Sequence, residues 1–189
     1  MAFTIKDMLA LSSLKEATLV SGTIGLDNPI SNIMVMEAPD IEKWSTPGQV
    51  LLSSFYGLQN ETQDTLIKFI AKLAEHRTSG LIIKKDRFIE KIPSDIIDAC
   101  EKYNLPLIQI PGHTPYSTII LEVMQILFNE KVRLLDYYHE IHHKFSSIAL
   151  EQPTLSDIAL VLEDLIHCPI TLLKKNKKCI CSTQDAFAN

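Results

Sequence analysis

The sequence predicts an α/β fold with a mostly parallel sheet flanked by helices, followed by a long helix and a truncated α+β segment. Short apolar runs such as Val50–Leu52 and Gly80–Lys84 are typical of strands that are covered on both faces. Amphipathic stretches of helical length separate these runs, and a strand–helix–strand order favours parallel pairing through crossovers. The stretch from Tyr116 to Leu150 contains neither glycine nor proline, which indicates one long helix.

The elements of the first domain, residues 1–115, follow from local patterns. Helices are expected at residues 5–15, at 61–76 where apolar side chains recur at helical spacing, and from Pro93 onward. Gly22, Gly25 and Gly48 are expected to form turns. The strands are expected at residues 17–21, 33–36, 50–52, 80–84 and 106–111.

The second segment, residues 116–150, has apolar side chains at two positions of a seven-residue repeat, which is typical of a coiled coil. Lys131 interrupts the repeat once, and a single polar residue in such a seam favours a defined two-stranded register. We therefore expect a homodimer through this helix, parallel or antiparallel; the alternative is a long helix that packs on its own domain. The predicted dimerisation residues are Ile120, Met124, Leu127, Lys131, Leu134, Tyr138, Ile141, Phe145 and Ile148.

The third segment, residues 151–189, has the pattern of one amphipathic helix and one hairpin. The helix is expected from Thr154 to His167, and the hairpin strands at 169–173 and 179–181 enclose the lysine-rich turn around Asn176. Because one helix and one hairpin cannot close a core, we expect this segment to be the beginning of a truncated middle domain.

The composition excludes several classes of protein. A net charge of −5 argues against a free-standing nucleic-acid binder, which needs clustered lysine and arginine. No apolar run approaches the length of a membrane span and no signal peptide is evident, so we expect a cytoplasmic protein with reduced cysteines and no membrane contact. No nucleotide-binding loop or nucleophile elbow is present, so no catalytic residue, cofactor or resident metal is expected.

A histidine cluster on the long helix requires separate consideration. His139-Glu140-Ile141-His142-His143 matches the His-Glu-x-x-His spacing of zinc proteases. A third ligand and a substrate cleft would also be needed, and the heptad repeat places Ile141 in the helix seam. A metal-dependent hydrolase is therefore only the least favoured alternative.

A ligand site is expected beyond the carboxyl ends of the parallel strands, where α/β sheets bind small molecules. Hydroxyl groups, aromatic rings, an ammonium and an imidazole would suit a small polar metabolite. The alternative is that the serines cap their strand and the lysine is solvated. The predicted ligand-binding residues are Ser53, Ser54, Phe55, Tyr56, Lys84, His113 and Thr114.

Several segments in order resemble the amino-terminal domain of PucR-type transcriptional regulators. They are the glycine-rich stretch Gly22–Pro29, the Glu37–Trp44 segment, Gly48–Ser54, Gly80–Lys84, Ile92-Pro93, Ala99 and Leu105–Pro111. The resemblance covers about residues 5–128, and Ile158–Leu173 is similar to the opening of that family's middle domain.

This resemblance implies a regulator of catabolic genes, often those of purine catabolism, with a sensory amino-terminal domain and a DNA-binding helix-turn-helix at the carboxyl end. We expect that helix-turn-helix to be absent here, so that DNA would be bound only through a region missing from this chain. Gln49 and Ser53-Ser54 stand where the family usually has an acidic residue and a Thr-Thr-like pair. The resemblance therefore does not identify the effector that this chain would bind. The expected function is a metabolite-sensing, dimerising fragment; the alternative is a ligand-free oligomerisation module.

Overall fold

The computed structural model describes residues 2–38, 40–41, 45–150, 153–176 and 178–183. Part of the Glu37–Trp44 segment and the side chain of Ile148 therefore lie outside the described residues. The described residues divide into two compact units, Met1–Asn129 and Glu130–Asn189. The first unit thus includes the beginning of the long helix together with the domain predicted at residues 1–115.

The first unit contains a five-stranded sheet in the order β1-β5-β4-β3-β2. The neighbours from β2 to β5 run parallel, as predicted, whereas β1 is an edge strand antiparallel to β5. The mostly parallel α/β prediction is therefore confirmed. The strands are β1 (Thr18–Ser21), β2 (Asn32–Val35), β3 (Gln49–Ser53), β4 (Gly80–Lys84) and β5 (Leu107–Ile110).

Helices cover both faces of this sheet because successive strand side chains alternate between the two faces. The helices of the first unit are α1 (Ile5–Leu9), α2 (Gln63–Glu75), α3 (Ser94–Lys102) and the first part of α4 (Tyr116–Leu150). Leu51 belongs to the core that α2 and α3 cover, whereas Val50 and Leu52 belong to the core that α1 and α4 cover. All five residues of β3 and of β4 are buried, as the continuous apolar runs predict.

The helix predicted at residues 5–15 is wrong in its length. The α-helix ends at Leu9, and Ser12–Leu14 forms a separate 3-10 turn. The helix begins with a reciprocal cap, in which the Thr4 hydroxyl and the Asp7 carboxylate each accept from the other residue's backbone N–H. The separate turn follows from a long-range contact, since Glu122 on α4 accepts hydrogen bonds from Ser12 and Ser13.

The second unit contains the rest of α4, a helix α5 (Leu155–Ile166) and a two-stranded antiparallel hairpin. The hairpin strands are β6 (Thr171–Leu173) and β7 (Cys179–Ser182). Thr154 caps α5 through its hydroxyl, which accepts from the backbone N–H of Asp157. The Lys144 ammonium lies 2.9 Å from the Asp164 carboxylate and joins α4 to α5 within this unit. The lysine-rich turn closes the hairpin, as the sequence predicts.

Candidate functional site: the carboxyl edge of the sheet

The carboxyl edge of the sheet brings the ends of β3 and β4 side by side. Ser53 pairs with Ile83, the residue before Lys84, and Lys84 in turn pairs with Ile110. Ser53 and Lys84, two of the predicted ligand-binding residues, thus end neighbouring strands at one edge of the sheet, although both side chains are buried. The Ser53 hydroxyl accepts the backbone N–H of Phe55 at 3.0 Å, so it stabilises the turn that follows β3.

The turn after β3 is unusual because Phe55 has a φ of 66°. Its ring is buried, contributes to the core under α2, and lines a groove of ≈ 460 Å³ together with Phe88. Ser54 is half-buried. Ser53 and Phe55 therefore have structural roles in the described chain, and their predicted contact with a ligand stays a prediction.

Lys84 is a buried ammonium without an acidic partner in the described part of the chain. Its side chain is only 5% exposed, and its Nζ lies 4.1 Å from the ring centroid of Tyr116, the first residue of α4. Burial and the nearby Arg87 charge lower the pKa of Lys84. The ring face supplies a cation–π attraction in place of a carboxylate.

Tyr116 is the second member of this contact. Burial raises the pKa of Tyr116 to about 12. Its hydroxyl is also buried without a hydrogen-bond partner among the described residues. A buried, unpartnered hydroxyl is costly. Among the described residues, the Lys84–Tyr116 contact thus brings a cation without an acidic partner and a hydroxyl without a hydrogen-bond partner to the start of α4.

An exposed aromatic pair lies at the same edge of the sheet. The rings of Tyr56 and Phe88 have centroids 4.9 Å apart at an interplanar angle of 56°. The Arg87 guanidinium carbon lies 5.3 Å from the Phe88 ring centroid. The pair therefore joins the loop after β3 to the loop after β4, and it offers aromatic surface and positive charge to solvent.

The loop after β5 has a different environment. His113 and Thr114 line a groove of ≈ 250 Å³ together with Ser12 and Glu16, whereas Phe55 and Phe88 line the larger groove. The His113 Nε2 lies 3.7 Å from a Glu16 carboxylate oxygen, and both side chains are largely exposed. The predicted ligand-binding residues thus fall into several local environments at one edge.

The long helix uses its first turns for the core of the first unit. Ile119, Val123 and Leu127 are buried against the sheet and Ile120 packs beside them. In the predicted seam, Ile120 and Leu127 therefore face the chain's own core, while Met124, Lys131, Leu134 and Tyr138 are exposed and Ile141 and Phe145 are half-buried. A neighbouring ridge adds exposed Leu121, Phe128 and Leu135 at heptad spacing.

The histidine cluster lies on the part of α4 within the second unit. His139, His142 and His143 are all exposed, and the His142 Nδ1 lies 3.4 Å from the Ser146 hydroxyl. Across the described ranges, no group of three or more histidine, cysteine, aspartate or glutamate side chains is placed to hold a metal ion. In the same part of the chain, no helix combines the length and the apolar character that crossing a membrane requires.

Sequence reasoning missed Phe88, Arg87, Tyr116 and Glu122. A Phe in a polar loop after a strand, next to Arg87, is a detectable signal, because such loops position binding residues. Tyr116 and Glu122 carry no local signal, since their roles depend on contacts with Lys84 and Ser12, which are distant in sequence.

Two comparisons with known proteins bear on this site. A family model described as the purine catabolism regulatory protein-like family, PucR, matches residues 7–127. The chain is also 24% identical over 181 residues to the purine catabolism regulatory protein of Bacillus subtilis (strain 168). That match covers 96% of this chain, and the chain spans about a third (34%) of the length of the relative. The matched family region includes the whole sheet and the buried first turns of α4.

Proposed function

We propose that this chain, which belongs to the purine catabolism regulatory protein-like (PucR) family, is the metabolite-sensing and dimerising part of a transcriptional regulator of catabolic genes. The family match to residues 7–127 is the observation that carries the regulatory role. The relative's name makes purines and their breakdown products the first effectors to test. DNA would be bound by a part of the regulator outside this chain, in the cytoplasm.

The sensing role rests on the Lys84–Tyr116 contact at the carboxyl edge. Lys84 ends β4, and Tyr116 begins α4. An anionic or strongly dipolar effector that engages the ammonium would compete with the Tyr116 ring for it. Because Tyr116 is the first residue of the helix, such competition would change how α4 begins. Tyr56, Phe88 and Arg87 would add stacking surface and charge at the same edge.

The dimerising role rests on the exposed apolar ridges of α4. Leu121 and Phe128 are 70% and 65% exposed, and Leu135 continues their ridge at the heptad spacing. Met124, Lys131 and Tyr138 form the second ridge, three residues further on. Two such ridges side by side are the requirement for a two-stranded coiled coil. The partner that we propose is a second copy of this chain, because the two ridges would then pack against the same two ridges of the other copy.

The sensing role is tested by thermal unfolding of the chain with purines, their breakdown products and amino acids. A compound that binds only the folded state must raise the melting temperature. We expect one metabolite class to do so for the wild type and for Lys68→Met, an exposed control on α2, but not for Lys84→Met. If a compound still raised the melting temperature of Lys84→Met, or if no compound raised that of the wild type, the proposed site would be contradicted.

The dimer is tested by sedimentation equilibrium of two double variants. Phe128→Lys with Leu135→Lys places charge in the proposed seam and should yield a monomer. Asn129→Lys with Asp136→Lys changes exposed neighbours one residue further along the helix and should leave the dimer intact. A wild-type monomer, or equal behaviour of the two double variants, would contradict dimerisation through this face.

A further inference from the structure

A cleft lies at the amino ends of the parallel strands, at the edge of the sheet opposite to Lys84. It has a volume of ≈ 720 Å³, more than either of the grooves of ≈ 460 Å³ and ≈ 250 Å³ at the carboxyl edge. The segments that precede β2, β3, β4 and β5 all contribute to its wall, including Ser31, Gly48, Thr78 and Asn104. This volume is in the usual range for small-molecule sites in proteins.

The charge of the cleft is set by one side chain. Arg77 is the single charged residue among the described wall residues, and its guanidinium forms no ion pair within the described ranges. Its backbone is held on both sides, since its N–H donates to the Ala74 carbonyl at 2.9 Å and its carbonyl accepts from Gly48 at 3.0 Å. Arg77 is exposed, and a guanidinium that makes no ion pair at the wall of a cleft favours an anionic ligand.

The residue after Arg77 contributes a buried hydroxyl to the same wall. Thr78 is 4% exposed, and its Oγ1 has no hydrogen-bond partner in the part of the chain that the structure describes. The neighbouring polar groups satisfy one another: the Ser79 hydroxyl donates to the Pro29 carbonyl, and the Asn28 amide donates to the Ser79 carbonyl. Thr78 thus supplies a buried hydroxyl that a ligand reaching into this wall would satisfy, because leaving it unpaired is costly.

Apolar surface completes the wall of the cleft. Ile30, Ala74, Leu105 and the half-buried ring of Tyr103 line it together with the polar groups. Apolar walls with a few placed polar groups are typical of sites for small organic molecules rather than for inorganic ions.

We infer that this cleft binds a small organic carboxylate, with the Arg77 guanidinium on the carboxylate and the Thr78 hydroxyl bonded to the same molecule. A guanidinium matches the two oxygens of a carboxylate in a bidentate pair. This inference does not rest on the proposed sensing role of Lys84, because the two sites lie at opposite edges of the sheet.

The test is a titration of the ¹⁵N-labelled chain followed by NMR, with each carboxylate paired with its uncharged amide. The probes are glycolate with glycolamide, benzoate with benzamide, nicotinate with nicotinamide, and inorganic phosphate, each to about 10 mM, since small fragments bind weakly. We expect at least one carboxylate to shift the backbone signals of Arg77–Ser79 and Asn104, and its amide to bind about tenfold more weakly. This comparison of each carboxylate with its amide requires only the wild-type protein.

Variants then assign the contacts. Arg77→Gln should weaken carboxylate binding about tenfold, and Thr78→Val should weaken it severalfold, while Arg133→Gln, at an exposed position on α4, should leave it unchanged. Equal binding of acid and amide, signals that shift with phosphate alone, or no shift of these signals with any carboxylate would overturn the assignment. Unchanged carboxylate binding in Arg77→Gln would do the same.

Discussion

Glu122 on α4 holds Ser12 by two hydrogen bonds to one carboxylate oxygen, from the Ser12 backbone N–H at 3.1 Å and from its hydroxyl at 2.8 Å. The other carboxylate oxygen accepts the Ser13 N–H at 2.9 Å. One side chain thus satisfies the free N–H groups at the start of the 3-10 turn Ser12–Leu14. The contact fixes the segment after α1 on the buried part of α4.

The first prediction concerns the stability that this carboxylate provides. Glu122→Gln keeps the size of the side chain but replaces one acceptor oxygen with an NH₂ group and removes the charge. We expect the free energy of unfolding to fall by about 1–2 kcal/mol, after allowance for solvent screening at this partly exposed site. Chemical denaturation measures it, with Glu130→Gln on the same helix as the control. Equal losses in both variants would contradict the capping role.

The second prediction concerns pH. The hydrogen bonds from Ser13 and then those from Ser12 lower the pKa of Glu122 from 4.5 to about 2. Because the folded pKa is the lower one, the stabilisation is fully present above pH 4.5 and is lost as the pH falls toward 2. The difference in unfolding free energy between wild type and Glu122→Gln should therefore shrink over this interval. A difference that stays constant in acid would show that the charge is not involved.

The third prediction concerns Gly22, whose φ is 78°. A Cβ at this position would lie 2.3 Å from the Leu105 carbonyl oxygen, which is backbone and cannot move aside easily. We expect Gly22→Ala to destabilise the chain by about 2–4 kcal/mol. Gly57→Ala, at an exposed position in the 3-10 turn Tyr56–Leu58, should change stability by less than about 1 kcal/mol. Thermal unfolding of the two variants measures both changes, and similar losses of stability in the two would contradict this prediction.

The fourth prediction separates the ring of Tyr116 from its hydroxyl. Tyr116→Phe removes the unpartnered hydroxyl and keeps the ring under Lys84, so stability should stay level or rise by up to about 1 kcal/mol. Tyr116→Leu removes the ring and should lower stability by about 1–2 kcal/mol. A marked loss of stability in Tyr116→Phe would mean that the hydroxyl is bonded in the folded protein.

The fifth prediction concerns the thiols. Burial raises the pKa of Cys100 to about 12, whereas Cys168 is exposed. Because the thiolate is the reactive form, iodoacetamide should modify Cys168 at least about 100-fold faster than Cys100 in the folded chain. Mass spectrometry of peptides after timed quenching measures both rates, and denatured protein provides the control in which they should become similar. Comparable rates in the folded chain would contradict the burial of Cys100.

Much of the fold could be predicted because the signals are local. The apolar run Val50–Leu52 is buried on both faces, as a parallel strand requires. Thr62, of a residue type favoured at helix starts, directly precedes α2, and its hydroxyl accepts the backbone N–H of Thr65. These features depend on neighbours within a few residues, so the sequence pattern contains them.

The features that could not be predicted depend on distant partners. The direction of β1 follows from its pairing with β5, which its own four residues do not encode. The early end of α1 goes with the capping of the next turn by Glu122. Lys84 ends an apolar strand and could have been solvated; its burial follows from the position of the Tyr116 ring. Charge and polarity in the sequence do not determine such contacts.

The position of β1 in the sheet also constrains how the first unit is made. Thr18 pairs with Gln109, so β1 has its strand partner in a segment that the ribosome produces much later. Closing so long a loop costs entropy, and folds with such distant pairings form slowly. We expect the newly made β1 to remain unpaired while β2, β3 and β4 are synthesised. During this part of synthesis the chain should be most prone to misassembly and to chaperone binding.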